Sequence, residues 1–315
     1  MVSTEVARGE VALSKTAHAA ERPGSAARRS RDNRAGLAFA APFLALFLAF
    51  LVWPIAHGVY LSFTGQTLTG AGGSWVGLSN YTEAFADPVM WRSLANTALF
   101  TVMSTVPLVL VALAMALLVN LGIPGQWLWR LSFFMPFLLA STVVALFWTW
   151  MYNPQLGLVN WLLAPLGIDP VAWLQDERWA MTAVVVTTLW WTVGFNFLLY
   201  LAALQNIPEQ QYEAAAIDGA GPWRQLFSIT IPQLGPTTVL IVILQVIASL
   251  KVFDQIYMMT NGGPNGVTRP VVQYIFEAGF TGYRFGYSAA ISYVFFALII
   301  VVSLVQLRIT ARRSA

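Results

Sequence analysis

Apolar residues along this chain gather into long runs separated by short polar or turn-forming segments. Six runs stand out, near Leu37–Leu61, Ser93–Leu121, Leu128–Met151, Trp179–Leu204, Thr237–Met259 and Tyr287–Leu307. Each is long enough to cross about 30 Å of hydrocarbon, which takes roughly 20 helical residues. Prolines fall inside the runs at Pro42, Pro54, Pro107 and Pro136. They need not end a span, because neighbouring helices and water can satisfy the freed carbonyls. The pattern predicts an all-α polytopic membrane protein with six transmembrane helices in residues 35–315. Residues 1–34 differ: small, polar, without apolar periodicity, and carrying Arg22, Arg28, Arg29, Arg31 and Arg34. They read as a disordered tail. A secretory signal is the competing view, but the following run is too long for a signal core, and no clear small-residue cleavage site follows it.

A short, polar and punctuated interruption, residues 206–232, lies between the fourth and fifth runs. Pro208 can occupy the first turn of a helix, where its missing N–H would be unbonded anyway. Good helix formers follow from Glu209 to Asp218. Gly219 can take the left-handed conformation that closes a helix. Gly221-Pro222 restarts the chain, and Pro232 is expected to stop the second helix. Ala214, Ala215 and Ala216 keep the first helix thin enough for another backbone to come close. Glu209 and Glu213, four apart, form a like-charge pair that mildly destabilises an isolated helix. Two readings follow: a solvated loop helix with its carboxylates in water, or a docking helix whose acidic groups meet a basic partner.

Composition narrows the class. Of 315 residues 57% are hydrophobic and 10% charged, against about 25% charged in ordinary soluble domains. A net charge of +3 with no broad basic surface argues against nucleic-acid binding. Cysteine is absent and there are two histidines, so disulfides, thiolate metal sites and histidine-rich metal sites are excluded. Basic residues then give the sidedness. The tail, the loops holding Arg130 and Arg224, and the end with Arg308, Arg312 and Arg313 alternate on one side, while Arg92, Arg178, Arg269 and Arg284 fall on the other. Both termini and the Glu213 loop are expected on the cytoplasmic side of the membrane.

Ionisable groups are almost absent from the runs, except Lys251 and Asp254 in the fifth. Three apart, they would share a helical face and could pair. Charge at that depth normally faces a bundle interior or a water-filled path. The expected outer loops hold Trp75, Tyr81, Trp91, Trp161, Trp173 and Trp179. Interfacial aromatic belts account for such residues, and contact with a solute or a partner protein is the alternative. Asn261-Gly262-Gly263-Pro264-Asn265-Gly266 reads as a tight outer turn.

Glu213-Ala214-Ala215, three residues, Gly219, nine residues, then Ile229-Thr230-Ile231-Pro232 resembles the EAA loop of ABC importer permeases, with Ile231 where leucine is usual. Tyr212 to Pro222 is especially similar to the sugar-uptake branch, including the maltose-transporter membrane subunits, as is Thr260-Asn261-Gly262-Gly263-Pro264. The resemblance covers the chain from about residue 36 onward. It implies that the loop is a cytoplasmic coupling helix docking on an ATP-hydrolysing subunit through Glu213, Ala214, Ala215, Asp218, Gly219, Ala220, Gly221 and Pro222. It implies partners: a second homologous permease, two ATP-binding subunits, an external substrate-binding protein and a sugar. It also implies a substrate path. Carried over from the coupling loop, the contact positions fall on Thr188, Trp191, Thr192 and Phe195 in the fourth span, Gln245, Ser249 and Val252 in the fifth, and Ser141 in the third. Lys251 and Asp254 would add a polar wall. Aromatic faces stack on sugar rings, while hydroxyls and amides bond their hydroxyl groups.

The chain has no G-x-x-x-x-G-K-[ST] loop to cradle phosphate, so it cannot hydrolyse ATP alone, and ATP with its magnesium would sit on the partner. A glycerol-phosphate or other polyol permease is a neighbouring reading. A stand-alone ion-coupled transporter would call for broken spans or an internal repeat supplying an ion site; no convincing repeat is visible. A membrane enzyme would need convergent acid, base or metal groups, for which Lys251 and Asp254 are too little.

Overall fold

The computed structural model describes residues 39–70, 73–122 and 124–313; the tail expected at 1–34 lies outside them. The chain divides into two units, Met1–Gly58 and Val59–Ala315. Among the described residues the elements are helices, with one isolated bridge between Thr64 and Trp75. Helix α1, Phe39–Ser62, contains a five-residue π-turn, Leu48–Val52, in which the Trp53 N–H donates to the Leu48 carbonyl. The widened turn lies immediately before Pro54, and the helix continues through that proline.

Among the described residues four helices are long and apolar enough to cross a membrane uninterrupted: α1, α3 (Pro88–Asn120), which follows the short α2 (Ser79–Ala86), α7 (Ala180–Gln205) and the last, α13 (Phe285–Arg313). The other two expected spans are not straight. In the third, α4 (Gln126–Phe134) runs into a 3₁₀ turn at Met135–Leu138, and α5 (Ser141–Met151) leaves it at 99°. Pro136 lies in that turn, and Leu139 and Ala140 after it are extended, with ψ of 143° and 144°. In the fifth, α9 (Pro222–Gln233) and α10 (Gly235–Leu250) meet at 57°. The helix continues past Pro232 to Gln233, because the proline sits in the first turn after a π-turn at Leu226–Thr230. α10 ends at Leu250, and a separate helix, α11 (Asp254–Thr260), follows a non-helical Lys251–Phe253. Non-helical backbone at membrane depth is tolerated where it is buried in protein or lines a cavity.

Within the second unit α3 is central. Its buried positions include Ser93, Thr97, Thr101, Ser104, Thr105, Leu108, Ala112 and Ala116, a stripe of small residues at roughly helical spacing. Small residues let membrane helices approach closely where burial of oily surface gives no drive. The hydroxyls of Thr97 and Thr101 donate one turn back, to the Ser93 and Thr97 carbonyls, each at 2.8 Å. Leu108, Ala112, Ala116 and Val119 pack with Phe197, Tyr200 and Leu204 of α7 and Ile241 of α10. Phe100 lies in a second cluster with Val184 of α7 and Ile256 of α11. Gly194 of α7 marks a close approach: a Cβ there would lie 2.0 Å from the Phe133 carbonyl oxygen of α4.

α3 begins five residues before the expected Ser93. Asp87 caps it, accepting from the Val89 N–H at 2.8 Å, with Pro88 in the first turn. Asp87 also accepts from the hydroxyls of Tyr274, in α12 (Val271–Phe276), and of Tyr287, in α13. Burial pushes the Asp87 carboxyl up, but these hydroxyls and the Val89 N–H outweigh it and hold it below its usual value. The 261–266 turn is positioned nearby in sequence space to α11: Asn261, Gly262, Asn265 and Gly266 all have positive φ. Asn96 of α3 donates to the Gly266 and Arg269 carbonyls at 2.8 and 3.0 Å, fastening the turn to α3.

Candidate functional site

The 206–232 loop folds much as its residues dictate. Helix α8 spans Glu209–Ile217, with Pro208 one residue before it as N-cap and Asp218 as C-cap. Gly219 follows at φ +75°. The Ala220 N–H donates to the Ala215 carbonyl at 2.8 Å and the Gly219 N–H to Ala216 at 3.0 Å, the double-bonded glycine closure of a helix. Gly221 is the N-cap and Pro222 the first residue of α9. Tyr212 anchors the helix from below through its hydroxyl to Thr230 Oγ1 at 2.9 Å, and Gln225 Nε2 donates to the Ala220 carbonyl at 3.1 Å. Glu209, Glu213, Ala214, Asp218 and Gly219 remain exposed, while Ala215 and Ala220 are half-buried. Three large apolar side chains are exposed beside them, Ile217 at 88%, Trp223 at 74% and Phe227 at 62%. The last two rings stack at 6.4 Å. The loop thus presents carboxylates and apolar groups together on a supported surface.

The second assembly is a cavity of about 190 Å³ at the break in the fifth span. Ser141, Thr188, Trp191, Thr192, Gln245, Ser249, Lys251, Val252 and Asp254 line it, as do Phe100, Ala248, Phe253 and Gln255. The bends create this meeting. Ser141 is the first residue of α5 after the extended Leu139-Ala140, and Trp191 Nε1 donates to the Leu139 carbonyl at 3.2 Å, fixing the bend on α7. With its N–H so used, Trp191 offers its ring. Gln245 is 8% exposed. Its Oε1 accepts from Asn196 Nδ2 at 3.3 Å, its Nε2 donates to Ser249 Oγ at 3.2 Å, and Ser249 meets Ser104 of α3 at 3.1 Å. A carboxamide nitrogen has two hydrogens and its oxygen two lone pairs, so Gln245 keeps one of each for a guest. Gln255 is fastened likewise: Thr188 Oγ1 donates to its Oε1 at 3.0 Å, and its Nε2 donates to the Val184 carbonyl at 3.3 Å.

The pairing left open by the sequence does not form, and one carried-over position lies elsewhere. Lys251 and Asp254 do not pair: the helix break separates them, and both are exposed on the cavity. The ion pairs among the described residues are Arg269–Glu277 and Arg284–Glu83. Phe195 is not in the cavity wall; its ring stacks on Phe137 at 5.1 Å. Gln255 and Asn196 were not singled out from sequence. Both are amides inside apolar runs, the same signal that marked Gln245.

Comparison with known proteins gives a consistent result. The family described as binding-protein-dependent transport system inner membrane component matches residues 73–314. The sulfoquinovosyl glycerol transport system permease protein SmoG of Agrobacterium fabrum is 38% identical over 279 residues, covering 88% of this chain and 91% of that protein. The trehalose/maltose transport system permease protein MalF of Thermococcus litoralis is 34% identical, covering 89% and 94%. A crystal structure of a bacterial ABC transporter involved in import of the acidic polysaccharide alginate has a chain of the same fold, with a TM-score of 0.79 at 24% identity, covering 90% of this chain and 99% of that one.

Proposed function

This chain belongs to the inner membrane components of binding-protein-dependent transport systems, and we propose that it forms one half of the translocation path of an ATP-driven importer of a di- or oligosaccharide. In this reading α8 is the cytoplasmic coupling helix. Glu213 and the exposed Ile217 dock on an ATPase subunit, a second permease supplies the other half of the path, and an external binding protein delivers the sugar. Both termini are cytoplasmic. ATP hydrolysis belongs to the partner, since this chain has no phosphate-cradling loop.

The observation that carries the proposal is the cavity at the broken fifth span. Hydroxyls, an unfilled amide, an indole ring and two unpaired charges from α5, α7, α10, the Lys251–Phe253 break and α11 converge on one space. That is the chemistry a polyhydroxylated solute needs. Its volume of about 190 Å³ is below the roughly 300–1,000 Å³ of pockets that enclose drug-sized ligands. The rest of the space for a saccharide would come from the second permease, which supplies the other half of the path in this reading. The substrate class is drawn from the relatives, whose names include a glycosyl glycerol and the disaccharides trehalose and maltose.

Native purification from membranes tests the assembly. A tagged chain is expected to bring down an ATPase and a second, homologous permease in stoichiometric amounts. Recovery of this chain alone, active in transport, would contradict it.

A further inference from the structure

The segment 154–168, between α5 and α7, contains no charged residue. It nevertheless leaves Leu156 77%, Trp161 68%, Leu162 57% and Leu166 73% exposed. Its backbone is firmly held. The short helix α6, Leu158–Leu163, has the buried Asn160 on its inner side. Asn160 Nδ2 donates to the Pro154 and Val171 carbonyls at 3.2 and 2.9 Å, and its Oδ1 accepts from the Val171 N–H and from Trp173 Nε1 at 3.2 and 2.9 Å. Before it, Asn153 Oδ1 accepts from the N–H groups of Gln155 and Leu156 at 3.0 and 2.9 Å. At Gly157 any Cβ would lie 2.4 Å from the Asn153 and Met151 carbonyl oxygens, so the chain turns there too tightly for a side chain. A fixed platform therefore holds the four apolar side chains outward.

We propose that this platform is a lipid anchor, seated in the interfacial layer of the bilayer at the outer ends of the spans. The orientation rests on the functional reading above; the lipid contact rests on the loop itself. The half-span just before it in the chain is also apolar and exposed: α5 leaves Leu146 60%, Phe147 46% and Trp150 56% exposed. A tryptophan among leucines on a short helix lying at the end of a span suits the headgroup boundary, where an amphipathic ring is stable and apolar side chains reach the acyl layer. A protein partner fits less well. Protein interfaces set an apolar centre within a polar rim that forms about one hydrogen bond per 100–200 Å², whereas the asparagines of this segment spend their hydrogen bonds inside it. Anchoring here fixes the far end of α5, whose first residue, Ser141, lines the cavity beyond the 99° bend.

The chain has no cysteine, so each variant carries one label when it is labelled before assembly with unlabelled partners. Leu156→Cys, Trp161→Cys, Leu166→Cys and, as a water-facing control, Asp169→Cys would be spin-labelled and then assembled into the transporter in phosphatidylcholine–phosphatidylglycerol bilayers. Collision rates with oxygen and with a water-soluble nickel chelate are then compared. At 156, 161 and 166 oxygen is expected to exceed the chelate severalfold, with the reverse at 169. Chelate access equal to that at 169 would place the segment in water, and exclusion of both reagents would place it under protein; either result overturns the anchor. Sidedness is read separately, by reaction of Asp169→Cys with an impermeant thiol reagent outside sealed vesicles. Reaction only from the inside would reject the orientation proposed above while leaving the lipid contact standing.

Discussion

Glu213→Lys and Gly219→Pro each reduce solute uptake at least about tenfold at equal membrane abundance, with the spans still inserted. Glu213 is exposed on α8 and makes no ion pair among the described residues. If the ATPase meets it with basic groups, reversing its charge juxtaposes like charges, which costs several kcal/mol at an interface, and each 1.4 kcal/mol is a factor of ten. Gly219 acts through shape. Its φ of +75° is closed to proline, whose ring holds φ near −65°. Proline also removes the N–H that bonds the Ala216 carbonyl. The turn would reopen, α8 would lose its angle to α9, and the docking surface would be misaligned without any change inside the membrane. Uptake by the assembled transporter in proteoliposomes checks both variants, and wild-type rates in either would remove α8 from the coupling role.

The second large effect is expected in the cavity. Gln245→Ala and Trp191→Ala impair uptake or change sugar preference, yet leave the complex assembled and hydrolysis of ATP still stimulated by the binding protein. Removing the Gln245 amide strands Asn196 Nδ2, a buried donor, at a cost of about 1–3 kcal/mol, and deletes the amide offered to the solute. Removing Trp191 deletes the ring and frees the Leu139 carbonyl that holds the 139–140 bend. Glu213→Lys loses both uptake and stimulated hydrolysis, so the two sites separate in a paired assay of transport and phosphate release. Unchanged uptake of every tested sugar in both alanine variants would defeat the path.

The contrast between these sites also shows what was legible in the chain. The α8 loop could be read closely because its signals are local: Pro208, Gly219 and Pro222 constrain their own dihedrals, and the helix and turn fall within one residue of expectation. The breaks in the third and fifth spans could not. A run that is apolar throughout carries no period, so nothing in it reports a change of axis. Pro136 is compatible with either a continuous span or the 3₁₀ turn it occupies. Lys251 and Asp254 invited pairing only on the assumption of an unbroken helix; where the backbone leaves the helix, a spacing of three no longer means a shared face. Of the residues lining the cavity, Ser141, Thr188, Trp191, Thr192, Gln245, Ser249 and Val252 were named through resemblance and Lys251 and Asp254 through charge, none of them through periodicity. Phe195 shows the limit of that route, since carrying a position over says nothing of the rotamer that turns its ring onto Phe137. Asp87-Pro88 was a readable helix start, hidden because the apolar run begins later than the helix does.

The central claim is that this chain moves solute only as part of an ATP-driven assembly, through the cavity beside Gln245. Accumulation of a labelled disaccharide recognised by the binding protein, measured in sealed proteoliposomes containing both permeases and the ATPase, tests it most directly. With ATP enclosed on the α8 side and the binding protein outside, the sugar should accumulate against its gradient, and accumulation should cease when ATP is replaced by a non-hydrolysable analogue. Accumulation by this chain without the ATPase, driven by a proton or sodium gradient alone, would contradict the account.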